Sequence, residues 1–435
     1  MTLDPKIEYL LSLKAVRERA HIVFKHAEQG KLHHFDYHAD RLDEAAKYVM
    51  DIIERDFGPD RYSLIPPHGR WQHFNVGGVD RISKLLEQWE QQGYDAQEKV
   101  RSLVDLFFVS VLLDAGAGDT WRYEEAQSGA VYTRSEGIAV ASLHMFLDGA
   151  FANAGSERKD VVHGEALGNI TVDAIRRGFQ VNDGTNPLVG ATARTEILQR
   201  LGASFLRLQD VFGPSGRPGN LVDYLLKQGT GATIDYSDLW SALQRTLIPV
   251  WPSDRTRVHG QPIGDAWPLK VLAEALESDP DTETASIQPF HKLTQWLAYS
   301  LMVPFQRLLS ATWKNADLGT GLPEYRNGGL FVDMGVLTLK EEAQTRGLAA
   351  AGSSNGLPCF SAGGDEIVEW RAMTVALLDV LHQRILNSGR FGSVQLSLPQ
   401  MLEAGSWKAG RELAAAKRPD TKSSPILNSG DGTLF

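Results

Sequence analysis

Apolar residues recur every three or four positions along most of this chain, and that spacing restricts it to a fold built mainly of helices. Leu42, Ala46, Val49, Ile53 and Phe57 mark one such stripe, with charges between them, and Ile82, Leu85, Leu86 and Trp89 mark another. The stretch 103–113 (LVDLFFVSVLL) is apolar almost throughout and reads as a buried helix, although periodicity alone also admits a buried strand. Further helices are expected near 137–150, 163–177, 193–212, 235–247, 268–277, 289–312, 365–387 and 398–416. Strand signals are confined to 330–339 and 394–396. The expected class is mainly α, with few short strands.

At 435 residues the chain has room for two or three compact units or one fused domain. Its breaks at 66–70 (PPHGR), 75–78 (NVGG), 115–119 (AGAGD), 212–220 (FGPSGRPGN) and 351–358 (AGSSNGLP) are too short for flexible linkers. The expectation is one large helical domain over 1–435, with sub-lobes 1–185 and 186–417 and an extended C-terminal tail over 418–435. With 44 basic and 54 acidic residues the net charge is −10, which argues against nucleic acid or an anionic membrane as the main partner. A small anion in a local basic pocket stays compatible with that charge. No apolar run approaches the roughly 18 residues of a membrane span, and the start MTLDPKIEYL lacks a signal-peptide core. The single Cys359 excludes an internal disulfide and a Cys-rich zinc module. A cytoplasmic location is expected.

Few motifs rise above ordinary structure. KLHHFDYHAD offers His33, His34, Asp36, His38 and Asp40. On a helix His34 and His38 would share a face, but Phe35 stands where a zincin carries its glutamate, so a surface or core-edge segment is favoured. His163-Gly164-Glu165 resembles half of a zinc deaminase signature without its cysteines. The glycines of NVGGVDR, 75–81, precede a helix and would present N–H groups to an anion, or simply form a turn. Trp121 and Arg122 form an aromatic–cation pair that would grip a planar ligand or cap the core. In PFHKLTQWLAYSL, 289–301, a helix would place His291, Gln295 and Tyr299 on one side, with Lys292 at the edge and Leu293, Trp296, Leu297 and Leu301 on an apolar face. Glu324, Tyr325 and Arg326 sit among glycines and a proline, as on a loop, and Glu366, Glu369 and Arg371 cluster at the start of a helix.

FNVGGVDR, LLDAGAGDTWRY, EYRNGGLFVDMGVL and the terminal DGTLF resemble the microbial uracil-catabolism family of the URC pathway, and the likeness spans nearly the whole chain. A more distant likeness is to the queuosine-salvage nucleotide glycosylases. Six short motifs agree with that family in order: PLVGATARTEILQRLG at 187–202, VWPSDR at 250–255, FHKLTQ at 290–295, PEYR at 323–326, GVL at 335–337 and EWRA at 369–372. This second resemblance implies a helical architecture like that of helix-hairpin-helix DNA glycosylases. It places the catalytic carboxylate on Glu324 and the family's lysine on Lys292. This chain departs from the pattern in having Glu for Asp, His291 for a tyrosine and Leu293 for an arginine, which implies a different leaving group.

Together the resemblances imply pyrimidine catabolism by hydrolysis of the N-glycosidic bond of a ribosyl phosphate compound such as ribosylurea phosphate, giving urea and ribose phosphate. The cationic transition state calls for a carboxylate at the anomeric carbon, here Glu324, with Lys292 beside it. Trp121, Arg122, Tyr325, Arg326, His291, Gln295, Arg371 and the tail residue Asp431 are the expected substrate-binding groups. No metal and no cofactor is needed. The expected partner is a phosphorylated small molecule, with no nucleic acid and no membrane, and a homo-oligomer is left open. Two rivals stand beside this reading: a metal-dependent amidohydrolase using His33, His34 and His38, and a uracil-nucleotide-binding protein without turnover.

Overall fold

The longest apolar run of the sequence forms the centre of the protein. The computed structural model describes residues 4–114 and 120–430. The helices that build its middle are α1 (Leu13–Ala27), α2 (Arg70–Phe74), α3 (Arg81–Gln91), α4 (Ala96–Leu113), α5 (Arg134–Leu147), α6 (Lys292–Leu309), α7 (Tyr325–Asp333), α8 (Asp365–Asn387) and α9 (Trp407–Lys417). Asp95 starts α4 by accepting from the Glu98 N–H, and every residue from Leu103 to Leu113 is buried. α6 lies against α4, α7 against α9, and α8 against α1. One connected apolar core runs through all of them, from Leu13 to Ile426. The second half of α4 and Leu293–Phe305 of α6 have no solvent face and must sit inside such a core.

The strands are short and form six two-stranded pairings among the described residues. β1 (Phe35–Tyr37) runs antiparallel to β4 (Leu337–Leu339), and the hairpin β2 (Arg122–Glu124) with β3 (Val131–Thr133) precedes α5. β5 (Cys359–Ser361) pairs in parallel with β6 (Leu427–Ser429), which ties the segment after α9 onto the body. The fold class is mainly α. No described helix is long and apolar enough to cross a membrane.

Several local expectations change. The strand expected over 330–339 is the end of α7 followed by the three residues of β4, because α7 begins on a capping glutamate and buries Leu330 and Phe331. No strand forms over 394–396, which finds no ladder partner. The helix expected near 163–177 breaks in two, with Thr171 capping the second piece. The helix expected near 398–416 contains a π-helical turn, Leu402–Ser406, directly before α9.

Candidate functional site

α6 begins on a buried ion pair. Asp265 binds Arg371 with both oxygens, at 2.8 and 2.7 Å, and its Oδ2 also accepts the Lys292 N–H at 3.0 Å. His291, in the left-handed region at φ 47°, turns the chain into the helix. Burial opposes ionisation of Asp265, but the Arg371 guanidinium and the hydrogen bonds hold its carboxyl well below the usual range. The pair thus fixes the position of Lys292, the first residue of α6. Among the described residues the Lys292 ammonium has no ion pair and no hydrogen bond. Burial, helped by Arg371, pushes it down to about 8, while Glu324, Asp265 and Asp114 pull the other way. Lys292 and Glu324 are therefore electrostatic neighbours without being in ion-pair contact.

Glu324 is the N-cap of α7. Its Oε1 accepts the Asn327 N–H at 2.5 Å and its Oε2 the Arg326 N–H at 3.0 Å, so two backbone groups orient the carboxylate. The next residues explain the Asn-Gly-Gly pattern. Asn327 is fully buried and bridges the Leu322 carbonyl to the Ser406 hydroxyl in the π turn. A Cβ on Gly328 would stand 2.8 Å from the Trp370 ring, so only glycine allows α7 this close to α8.

The wall beside Lys292 is aromatic. Lys292, Trp296 and Ser300 follow at four-residue steps and share one face of α6. Ser300 Oγ accepts the Arg70 N–H at 3.0 Å, and Gly69 permits this approach, since a Cβ there would lie 3.2 Å from Ser300 Cα. The Arg70 guanidinium sits over the Trp296 ring at 5.4 Å and pairs with Asp114 at 2.7 Å. His73, one turn on, lies with its ring 5.7 Å from Trp296 and 5.8 Å from Trp407, and His68, which donates to Glu403 at 2.6 Å, is 5.6 Å from Trp407. Arg326 and Arg411 flank Trp407 at 5.0 and 4.8 Å, and Arg411 pairs with Glu136. Trp296 Nε1 and His73 Nε2 are buried with no hydrogen-bond partner among the described residues. Each such unmet group typically costs about 1–3 kcal/mol, and π-helical turns such as 402–406 frequently occur at functional sites.

Other residues expected at the site serve elsewhere. Trp121 is 1% exposed, packs on Phe179 and donates to the Phe179 carbonyl at 2.9 Å, so its polar edge is used inside the core. Arg122 lies on the exposed face of β2, where its backbone pairs with the Asn186 side chain. His291 bonds the Leu10 carbonyl, and Gln295 is held by Thr320 and the Phe290 carbonyl. These two face away from Lys292 because Leu293–Phe305 of α6 are all buried and a second side of the helix packs on Thr320. Arg371 is taken up by Asp265. Tyr325 and Arg326 line a cleft of about 470 Å³ between α7, α9 and the 418–425 segment, together with Arg411, Arg418 and Lys422. Asp431 and the AGAGD stretch lie outside the described residues.

The remaining motifs prove structural. Asp80 caps α3 with its own carboxylate, so the amides after NVGG are already occupied. His33, His34 and His38 turn to Glu274, Asp365 and Thr338 respectively, because β1 is extended and not helical. No cluster among the described residues is arranged to hold a metal ion. Glu369, expected at a solvated helix start, is fully buried and accepts the N–H groups of His33, His34 and Phe35. The sequence reading missed His73 and took Trp296 for core. The one available signal was the four-residue step from Lys292 to Trp296.

A family model described as a protein of unknown function, DUF1688, matches residues 9–435. The chain belongs to the DUF1688 family. Two relatives are similar to it from end to end. Uracil catabolism protein 4 of Lachancea kluyveri is 46% identical, with 100% of both chains aligned. Protein urg3 of Schizosaccharomyces pombe is 46% identical over 98% of each chain. The DUF1688 match therefore takes in every residue of the site just described.

Proposed function

We propose that this protein acts in uracil catabolism by hydrolysing the N-glycosidic bond of a ribosyl phosphate compound, with ribosylurea phosphate as the substrate that best fits. The name of the Lachancea kluyveri relative supports the pathway. The observation that carries the chemistry is the juxtaposition of a backbone-oriented carboxylate, Glu324, with an unpaired ammonium, Lys292, beside an aromatic wall. As the C1′–N bond lengthens, its electron pair moves onto the urea nitrogen and positive charge develops on the sugar. Glu324 stabilises that charge, and each of its oxygens keeps lone pairs beyond those used by the backbone. Water adds its oxygen to C1′, one of its protons ends on the departing nitrogen, and the products are urea and ribose phosphate. Lys292 holds the leaving group, and Arg326, which reaches the basic cleft, is the group placed to meet phosphate.

The test is incubation of the purified protein with ribosylurea phosphate, UMP and uridine, followed by assays for urea and ribose phosphate. Equal release of both products from ribosylurea phosphate is expected. Absence of release from that compound overturns the reading.

A further inference from the structure

We propose that His73 and Trp296 form the subsite for the leaving group, their two ring N–H groups donating to a carbonyl oxygen of a urea- or pyrimidine-like ligand. The inference rests on the reading of this site as one for ribosyl compounds and adds what recognises the part that departs.

The proton positions follow from fixed partners. Arginine only donates, so the Arg70 Nη1 contact to His73 Nδ1 at 3.2 Å makes Nδ1 the acceptor and leaves the proton on Nε2. Arg70 cannot turn away, because its other nitrogens are held by Ser110 Oγ at 2.8 Å and the Ser110 carbonyl at 3.1 Å. Burial and the Arg70 charge keep the His73 ring neutral. Trp296 Nε1 can only donate. Both N–H groups are buried with no acceptor among the described residues, on rings 5% and 8% exposed at the residue level and 5.7 Å apart between centroids.

Buried donors in native proteins are nearly always met. Two that find no acceptor among the described residues, on adjacent rings one helical turn from Lys292, are accounted for by an acceptor that a ligand supplies. The ring N–H groups of His73 and Trp296 can only donate, so the ligand atom that meets them must accept. The flat faces of Trp296, His73 and Trp407 favour a planar group around it. A ureido or pyrimidine carbonyl meets both demands.

Calorimetric titration of the full chain with ribosylurea phosphate, UMP and ribose 5-phosphate tests this. Trp296→Phe removes one N–H. His73→Asn keeps an acceptor for Arg70 and removes the outer donor, whereas His73→Gln returns a donor near that place. Trp296→Phe and His73→Asn should each weaken the carbonyl-bearing ligands about tenfold, leave ribose 5-phosphate unchanged, and His73→Gln should recover part of the loss. The Trp296 indole N–H resonance of the unmodified protein should shift with ribosylurea phosphate or UMP and not with ribose 5-phosphate, which decides the matter where a variant fails to fold. Equal weakening of all three ligands, unchanged affinity, or failure of both carbonyl-bearing ligands to bind overturns the proposal. Binding that depends on His73 and Trp296 without urea release would instead overturn the glycosidase reading and leave this one standing. Urea release with affinities intact in both variants would do the opposite.

Discussion

Two charge clusters flank α4, and they are built on opposite plans. At its N-terminal half Glu98, Arg101 and Asp105 share one face. Arg217 reaches Glu98 at 2.7 Å and Asp105 at 2.8 Å, Arg101 reaches Glu98 and Asp223 at 2.9 and 2.6 Å, Arg158 binds Glu98, and the Gly219 N–H completes Asp105 at 2.7 Å. Every charge there has an opposite partner. At the other cluster Arg70, Asp114, Asp265 and Arg371 are paired, but among the described residues Lys292 has no partner and the N–H groups of His73 and Trp296 are unmet. A closed network offsets the desolvation of its own charges and needs nothing more. An open one keeps donors in reserve for something that arrives.

The contrast is sharpest when each cluster loses one member. Arg217→Met strands Asp105, whose side chain is wholly buried, and breaking a buried pair in this way costs about 3–5 kcal/mol. Burial already pushes Asp105 up to about 6 against the pull of Arg217. Its folded value lies above the unfolded 3.8, so its contribution is favourable at low pH and is lost as pH rises through about 6. The deficit of the variant should therefore be smaller at pH 5 than at pH 8 in denaturant titrations, with turnover per folded molecule unchanged. A raised KM without loss of stability would place this cluster in the site after all.

In the open cluster the same kind of change should strike activity first. Glu324→Gln keeps shape and removes charge. Turnover should fall roughly 100–1,000-fold, the usual loss for one electrostatic group in the transition state, while ligand affinity holds. The Gln carbonyl oxygen can still accept one backbone N–H but its NH2 group cannot accept the other, so one of the two bonds of the α7 cap is lost too, at about 0.5–2 kcal/mol. Steady-state kinetics and thermal unfolding separate the two effects. Near-normal kcat would remove Glu324 from the chemistry.

Lys292 supplies a pH test. Its charge is lost above about 8, so kcat/KM should fall roughly tenfold per pH unit beyond that point. Lys292→Met should lower the plateau and abolish this limb. Stability moves the other way: the folded value lies below the unfolded 10.5, so the unfolded chain binds the extra proton between them and the fold gains as pH rises through that window. Activity and stability that decline together above pH 8 would point to unfolding instead of Lys292 titration.

The helical core was legible because α4, α6 and α8 carry long apolar or periodic runs, which constrain helices strongly. Glu324 and Lys292 came from family resemblance; spacing alone would have left one as a loop acid and the other as a surface cation. His73 lies just after a run of prolines and glycine that reads as a turn, and Trp296 sits on a stripe that reads as core. That their N–H groups find no acceptor among the described residues is a property of three elements brought together across more than 200 residues of sequence, and no local pattern encodes it. The 418–430 segment shows no period because one strand pairing and the Arg418–Asp333 pair hold it.

The smallest effect expected concerns Trp121, an aromatic whose place beside Arg122 suggests either a ligand wall or a cap on the core. Its indole N–H already donates to the Phe179 carbonyl at 2.9 Å, and its ring lies against Phe179 and beneath Gly137, where a Cβ would come within 2.9 Å of it. Trp121→Phe keeps an aromatic ring in the same slot. It leaves one buried carbonyl without its donor and a small void where the larger ring was, which together cost about 1–3 kcal/mol. If Trp121 is a core strut, thermal unfolding shifts downward while KM and kcat for ribosylurea phosphate stay at the values of the unmodified protein. A Trp that walls the ligand behaves differently: its loss raises KM even at temperatures where the variant is fully folded. Kinetics at two temperatures well below the unfolding transition distinguish the cases, and a KM rise that persists at both would move the binding wall from Trp296 and Trp407 to the β2–β3 hairpin.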